Sequence, residues 1–176
     1  AMRRWILPIL AFPVMVMLAT PAAIVYYTRD TRWASVWATP ATLQFWLALA
    51  FVLLGGVLSG WSMALFAQVG EGTAAPWDPP RRFVAQGPYR HVRNPMISGV
   101  QALLIAEALL LGSWPLAIWC LLFGIGNAVY IPLKEEKVLA KRYGQDYAEY
   151  KQHVPRWLPR PTPWLPPEDV QPPPKA

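Results

Sequence analysis

LQFWLALAFVLLGGVLSGWSMALF, residues 43–66, lies inside a longer stretch from Trp33 to Gly70 that contains no charged side chain. At 1.5 Å rise per residue, a helix of this length crosses a hydrocarbon layer of roughly 30 Å. Two further apolar blocks flank it, Trp5 to Thr28 without any charge and Met96 to Leu133 with Glu107 as its one exception. The second block is divided by Gly112, Ser113, Trp114 and Pro115, a helix end followed by a restart, which leaves a short span ahead of the break and a fuller one behind it. The expected fold is an all-α integral membrane bundle of about four transmembrane helices, near 5–28, 43–66, 96–112 and 115–133. A single domain over residues 1–160 and a proline-rich tail over 161–176 complete the expected organisation.

Composition agrees with this reading. Of 176 residues 55% are hydrophobic and only 15% charged, too little charge to clothe a small water-soluble domain. A formal charge of +6 with ten tryptophans could suit nucleic acid, but the tryptophans lie in or beside charge-free stretches, so no nucleic-acid partner is expected. Pro8, Pro13 and Pro21 interrupt the first span, which a membrane helix tolerates when neighbouring protein satisfies the freed carbonyls. A cleaved signal peptide is the competing reading of that segment, since Arg3 and Arg4 precede the apolar run and Thr20-Pro21-Ala22-Ala23 ends it. In the second span Gly56 and Gly60 stand four apart, with Ser59 and Ser62 nearby, as a surface for close helix approach, within the bundle or in a dimer.

The basic residues orient the bundle. Arg29 and Arg32 stand alone on one side, whereas Arg3, Arg4, Arg81, Arg82, Arg90, Arg93 and every lysine and arginine after Pro132 fall on the other. The positive-inside rule therefore puts both termini and the loop between the second and third spans in the cytoplasm, in keeping with a bacterial inner membrane.

Two polar clusters meet at that face. The loop from Gly70 to Pro95 is rich in turn residues, with Gly72, Pro76, Pro79, Pro80, Gly87 and Pro88, and predicts no long helix. It ends in Gly87-Pro88-Tyr89-Arg90-His91-Val92-Arg93-Asn94-Pro95 at the mouth of the third span, where arginines can also contact anionic lipid headgroups. After the fourth span come Glu135 and Glu136, adjacent carboxylates that can bind a cationic or hydroxylated ligand or pair with the arginines. Neighbours on a helix project about 100° apart, so both need not enter one site. Leu139, Tyr143, Tyr147 and Tyr150 then recur at helical spacing among charges, predicting an amphipathic helix at the interface or over the bundle mouth, its tyrosines at headgroup depth and Gly144 a breaking point.

These segments, with Val154-Pro155-Arg156-Trp157-Leu158-Pro159 after them, resemble the isoprenylcysteine carboxyl methyltransferase and phospholipid methyltransferase superfamily of integral membrane enzymes. In such families an arginine, histidine, proline triplet precedes one span, a double glutamate follows the next, and together they line a cytoplasm-facing pocket for S-adenosylmethionine. The resemblance implies that the 1–160 domain is a methyltransferase-like domain. Arg93, Asn94 and Pro95 match the triplet, and Glu135 with Glu136 match the pair. Asn94 stands where many relatives have histidine; an amide keeps a donor and an acceptor but cannot serve as a base near neutral pH. Lys137 replaces a frequent proline and Ile97 a frequent aromatic residue.

By this resemblance S-adenosyl-L-methionine is the cofactor. It would be held by Gly87, Pro88, Tyr89, Arg93, Asn94, Pro95, Glu135 and Glu136, with Arg93 and Glu136 the candidate catalytic residues. Arg93 would hold either the cofactor carboxylate or an acidic headgroup of the acceptor. The acceptor is expected to be a lipid or other hydrophobic molecule, reached sideways from the bilayer; a small hydrophobic thiol is the alternative. No metal is expected, because His91, His153 and Cys120 sit in unrelated contexts. No Gly-rich phosphate loop links a strand to a helix. Glu107, near the far end of the third span, is expected to snorkel or to pair with Arg29 or Arg32, and Asn127 to bond within the bundle or to touch adenine. The proline-dense stretch from Pro155 to Ala176 should be extended or disordered, with Trp157 and Trp164 able to dock it beneath the bundle. Two other classes compete: a non-catalytic assembly or transport subunit, and a membrane oxidoreductase related to sterol reductases.

Overall fold

The computed structural model describes residues 14–71 and 80–165. The first part of the expected first span, Arg3 and Arg4, the loop residues Gly72, Pro76 and Pro79, and the tail beyond Leu165 lie outside the described residues. Among the described residues the chain is helical without strands, and four helical segments follow in order: α1 Met15–Thr28, α2 Leu43–Gln68, α3 Pro95–Leu110 and α4 Trp114–His153, the last kinked at Gly144. Their surfaces are those of a membrane protein. In the most apolar windows of α2 and α4 only 11% and 22% of residues are buried, and Leu47, Val52, Leu53, Leu54 and Val57 of α2 all point outward. The fold is a helical membrane bundle.

Two compact units divide the chain, Ala1–Val57 with Gly99–Asn127 and Leu58–Ser98 with Ala128–Ala176. In the first unit the proline in α1 is accommodated through a π turn over Met15–Ala19, in which the Thr20 N–H donates to the Met15 carbonyl. The next donor in that register would be Pro21, which has no N–H. The carbonyl of Val16 is taken instead by the indole Nε1 of Trp119, at 3.1 Å. A neighbouring helix thus satisfies the freed carbonyl.

The end of α3 is closed by the same logic. Ala38 N–H donates to the Leu110 carbonyl at 2.8 Å, and the Gln44 amide to that of Leu109. Gly112 then turns the chain with φ of +53°, and the Ser113 hydroxyl accepts the Leu116 N–H to cap α4.

Close approach falls one residue away from the expected glycine pair. A Cβ on Gly55 would lie 2.6 Å from both the Gly99 carbonyl oxygen and Leu103 Cγ, whereas Gly56 and Gly60 have nothing within 4 Å. Helical phase decides this, since position 55 turns toward α3 and is buried while 56 and 60 face out. Of the two roles expected for Glu107, pairing with Arg29 or Arg32 is not found among the described residues. Arg29 pairs with Asp30 at 3.1 Å, and among the described residues the buried Oε2 of Glu107 has no partner. Asn127 donates to the Phe123 carbonyl of its own helix at 2.9 Å, a local bond.

The second unit holds the polar half of the chain. Past Tyr130, α4 passes Pro132 through another π turn, Ile131–Glu135, closed by the Glu136 N–H on the Ile131 carbonyl. The amphipathic segment expected as a separate element therefore continues α4 to His153. Gly144, with φ 55° and ψ −121°, interrupts it as expected. Tyr147 and Tyr150 face the protein interior: they are buried with Ala85, Val154 and Trp164, and Phe83, Leu139 and Tyr143 pack around them. Trp164 docks as expected, but Trp157 is only half-buried.

Gly55→Ala is expected to lower the unfolding midpoint of the detergent-solubilised protein by an amount equivalent to about 1–3 kcal/mol, the cost of overpacking against a backbone oxygen. Gly56→Ala should leave the midpoint unchanged or slightly raised. Thermal unfolding followed by tryptophan fluorescence separates the two.

Candidate functional site

The second unit brings the two polar clusters together around one carboxylate. Glu136 is 5% exposed at its side chain, and the π turn at Pro132 sets its direction: one extra residue in the turn rotates all later positions of the helix. Its Oε1 accepts from Arg93 Nη1 at 2.7 Å and from Arg156 Nε at 2.7 Å. Its Oε2 accepts from Arg156 Nη2 at 3.1 Å and stands 3.1 Å from Lys151 Nζ. Arg156 therefore grips it with both arms of the guanidinium. Three cations share one carboxylate, a local excess of positive charge.

Burial by itself would raise the Glu136 carboxyl, but Arg156, Lys151 and Arg93 outweigh it and hold the group below the usual carboxylate range. Glu135 behaves oppositely. Among the described residues it makes no ion pair, and burial, reinforced by the negative charge of Glu136, pushes its carboxyl up. Burial also raises the hydroxyl of Tyr147; the charge of Glu136 adds to that rise and Arg93 opposes it.

The expected triplet is held by backbone bonds from beyond α4. The Arg93 N–H donates to the Pro155 carbonyl at 2.9 Å, and the Asn94 side-chain amide donates to the Arg156 carbonyl at 3.2 Å. Pro95 is buried as the first residue of α3. The Gly87-Pro88-Tyr89 segment forms a 3-10 turn, Gly87–Arg90, entered through Gly87 at φ +54°. A Cβ there would lie 2.9 Å from the indole of Trp61, so the turn needs glycine for both its backbone and its packing.

Tyr89 is buried beside Leu65, Val84 and Phe66, and its carbonyl accepts the Tyr150 hydroxyl at 2.7 Å. Burial raises its own hydroxyl, and the charge of Glu135 is close enough to add to the effect. Tyr89, Arg93, Glu135 and Glu136 are thus gathered in one place. Gly87 and Pro88 line a shallow surface groove with Leu58, Trp61, Arg90, His91 and Pro163, a lining that includes neither Arg93 nor either glutamate.

Sequence reasoning did not place Lys151 or Arg156 at the site. The signal was present in the Val154-Pro155-Arg156 motif, which carries an arginine without an acidic neighbour, but only folding returns it to Glu136.

Glu136→Gln should destabilise the protein by about 3 kcal/mol, at the lower end for buried pairs because Arg156 and Lys151 remain partly in water. The contribution of Glu136 is fully present above the ordinary carboxylate value of about 4.3 and is lost as pH falls through its lowered folded value. Glu135 has the opposite sign: its contribution falls as pH rises from the ordinary value through its raised one. Glu135→Gln should therefore stabilise at neutral pH while Glu136→Gln destabilises, a contrast that unfolding curves across pH 3–8 would read.

None of the curated proteins matches the chain. The profile of phospholipid methyltransferases matches residues 43–146, more than half of the sequence. The match runs from the start of α2 into the polar part of α4 and includes the turn at Gly87, the Arg93-Asn94-Pro95 triplet and both glutamates. On this match, and on the membrane bundle that carries it, the chain belongs to the phospholipid methyltransferase family.

Proposed function

We propose that the protein is an S-adenosylmethionine-dependent methyltransferase acting on a lipid or other hydrophobic acceptor at the cytoplasmic face of the membrane. The observation that carries the reading is the division of charge at the site: three cations on Glu136, with Glu135 beside it making no ion pair among the described residues. The donor set suits the cofactor's chemistry. A cationic excess at Arg93, Lys151 and Arg156 matches its carboxylate, and the acid at Glu135 matches its amino group or ribose hydroxyls. When bound, the cofactor supplies an electrophilic methyl carbon, whose bond to sulfur breaks as an acceptor lone pair forms the new bond, the sulfur keeping the electron pair.

The chain's own residues orient and desolvate. Glu135 provides a carboxylate that no cation among the described residues pairs with. Arg93, 10% exposed and fixed by Glu136 and by the Pro155 carbonyl, presents a charge with little freedom, which lowers the entropic cost of alignment. Tyr89, Tyr147 and Tyr150 wall the cluster with buried rings, and water exclusion strengthens each charge interaction inside. Asn94, whose amide donor is held by the Arg156 carbonyl, acts in positioning; an amide takes no proton from the acceptor. The basic residues between α2 and α3, Arg81, Arg82, Arg90 and Arg93, support the cytoplasmic orientation of this face.

One observation favours a second reading. Both oxygens of Glu136 are engaged by the chain's own cations, as in an ion network that only holds a non-catalytic assembly or transport subunit together.

Calorimetric titration of the detergent-solubilised protein with S-adenosylmethionine decides between them. Saturable binding that weakens about tenfold to a hundredfold in Glu135→Gln, with folding intact, is expected from loss of a charge-assisted contact. Folded wild type that takes up none would defeat the methyltransferase reading in favour of the structural one.

A further inference from the structure

The chain beyond α4 lies outside the segment matched to the family, yet it supplies the strongest grip on the site. From Val154 it runs back along residues 90–93. Arg93 N–H donates to the Pro155 carbonyl at 2.9 Å, Arg160 N–H to the His91 carbonyl at 3.0 Å, and Trp164 N–H to the Arg90 carbonyl at 2.9 Å. The His91 ring nitrogen Nδ1 lies 2.8 Å from the Arg160 carbonyl, and Trp164 is buried beside Tyr150. Val154 at one end and Trp164 at the other are 1% and 7% exposed. Segment 154–164 is therefore a strap fastened by backbone bonds and two buried side chains. On the strap, the side chain of Arg156 reaches Glu136.

We infer that Arg156 is a positioning residue for the cofactor site, clamping Glu136 with both arms of its guanidinium so that Glu136 in turn fixes Arg93. This rests on the methyltransferase reading above. Three features of the geometry set Arg156 apart from Lys151. It contributes two bonds to Glu136, one of them to the same oxygen that receives Arg93, where Lys151 contributes a single contact through a point charge. Its carbonyl accepts the Asn94 amide, so one residue touches both parts of the expected site. Its side chain is 30% exposed where that of Lys151 is 49% exposed, and the drier contact is the less screened. A lysine in place of Arg156 retains the charge but not the planar fork that fixes a carboxylate in one orientation.

The test uses the full chain in detergent, with S-adenosylmethionine titrated calorimetrically into wild type, Arg156→Ala and Arg156→Lys, and the unfolding midpoint measured on the same samples. Arg156→Ala is expected to weaken binding at least tenfold and Arg156→Lys by an intermediate factor. The acid limb of the affinity profile should also move to higher pH in Arg156→Ala. With Arg156 gone, only Arg93 and Lys151 oppose the burial of Glu136, and the facing Glu135 and Tyr147, both themselves pushed up, add no positive charge, so Glu136 takes up a proton at higher pH and releases Arg93. A residue that served stability alone would lower the midpoint and leave affinity and its pH profile in place, and that outcome overturns the inference while wild-type binding keeps the cofactor reading. Should Arg156→Ala fail to fold, Arg156→Lys carries the test, and wild-type affinity in it overturns the proposal. Absence of binding by folded wild type removes the cofactor reading and this inference with it.

Discussion

A carboxylate nearly out of water is tolerable only when its charge is answered, and the polar half of this protein is arranged around that requirement at Glu136. Desolvation acts to neutralise it; two guanidiniums and an ammonium keep it ionised. The cations come from three places: Arg93 ahead of α3, Lys151 near the end of α4 and Arg156 on the strap. Satisfying one acid therefore fixes the relation between three parts of the chain in this unit. A cluster with more cations than anions is also charged for an anionic group, which is how a stabilising network and a binding site can share residues.

The helices reach this arrangement by departing from ideal geometry at two prolines. Pro21 and Pro132 each follow or sit in a π turn, where bonds run to the fifth residue instead of the fourth. In the first case the carbonyl left open is taken by Trp119 of another helix. In the second the extra residue re-phases α4, so that the apolar pattern ahead of Pro132 and the placement of Glu136 behind it are served by one continuous helix. The proline that would break a soluble helix here sets the rotation of the site.

Asymmetry between the two glutamates follows from that rotation. Adjacent residues on a helix cannot face the same way, and here one enters a nest of cations while the other makes no ion pair among the described residues. Their carboxyls consequently move in opposite directions, the pattern expected where two like groups have different tasks. Among the described residues Glu136 is held in ion pairs and Glu135 makes none.

Sequence alone determined the membrane bundle, because a charge-free run of the length of α2 has few stable alternatives to crossing a bilayer, and spacing of hydrophobic blocks is a local property. It also determined which motifs would meet, through the triplet at Arg93 to Pro95 and the pair at Glu135 and Glu136, and it located the helix restart at Gly112 and Ser113 and the break at Gly144. Only the tertiary structure decided that Gly55, one residue from the expected glycine pair, is the contact glycine, since a single position changes helical facing by about 100°. It alone turned Tyr147 and Tyr150 into core and left Glu107 without the arginine partner its position suggested. Above all it brought Arg156 and Lys151 to Glu136. Such contacts join residues distant in sequence, and their geometry depends on a helical phase and a kink that no local pattern encodes, whereas hydrophobicity is written residue by residue along the chain.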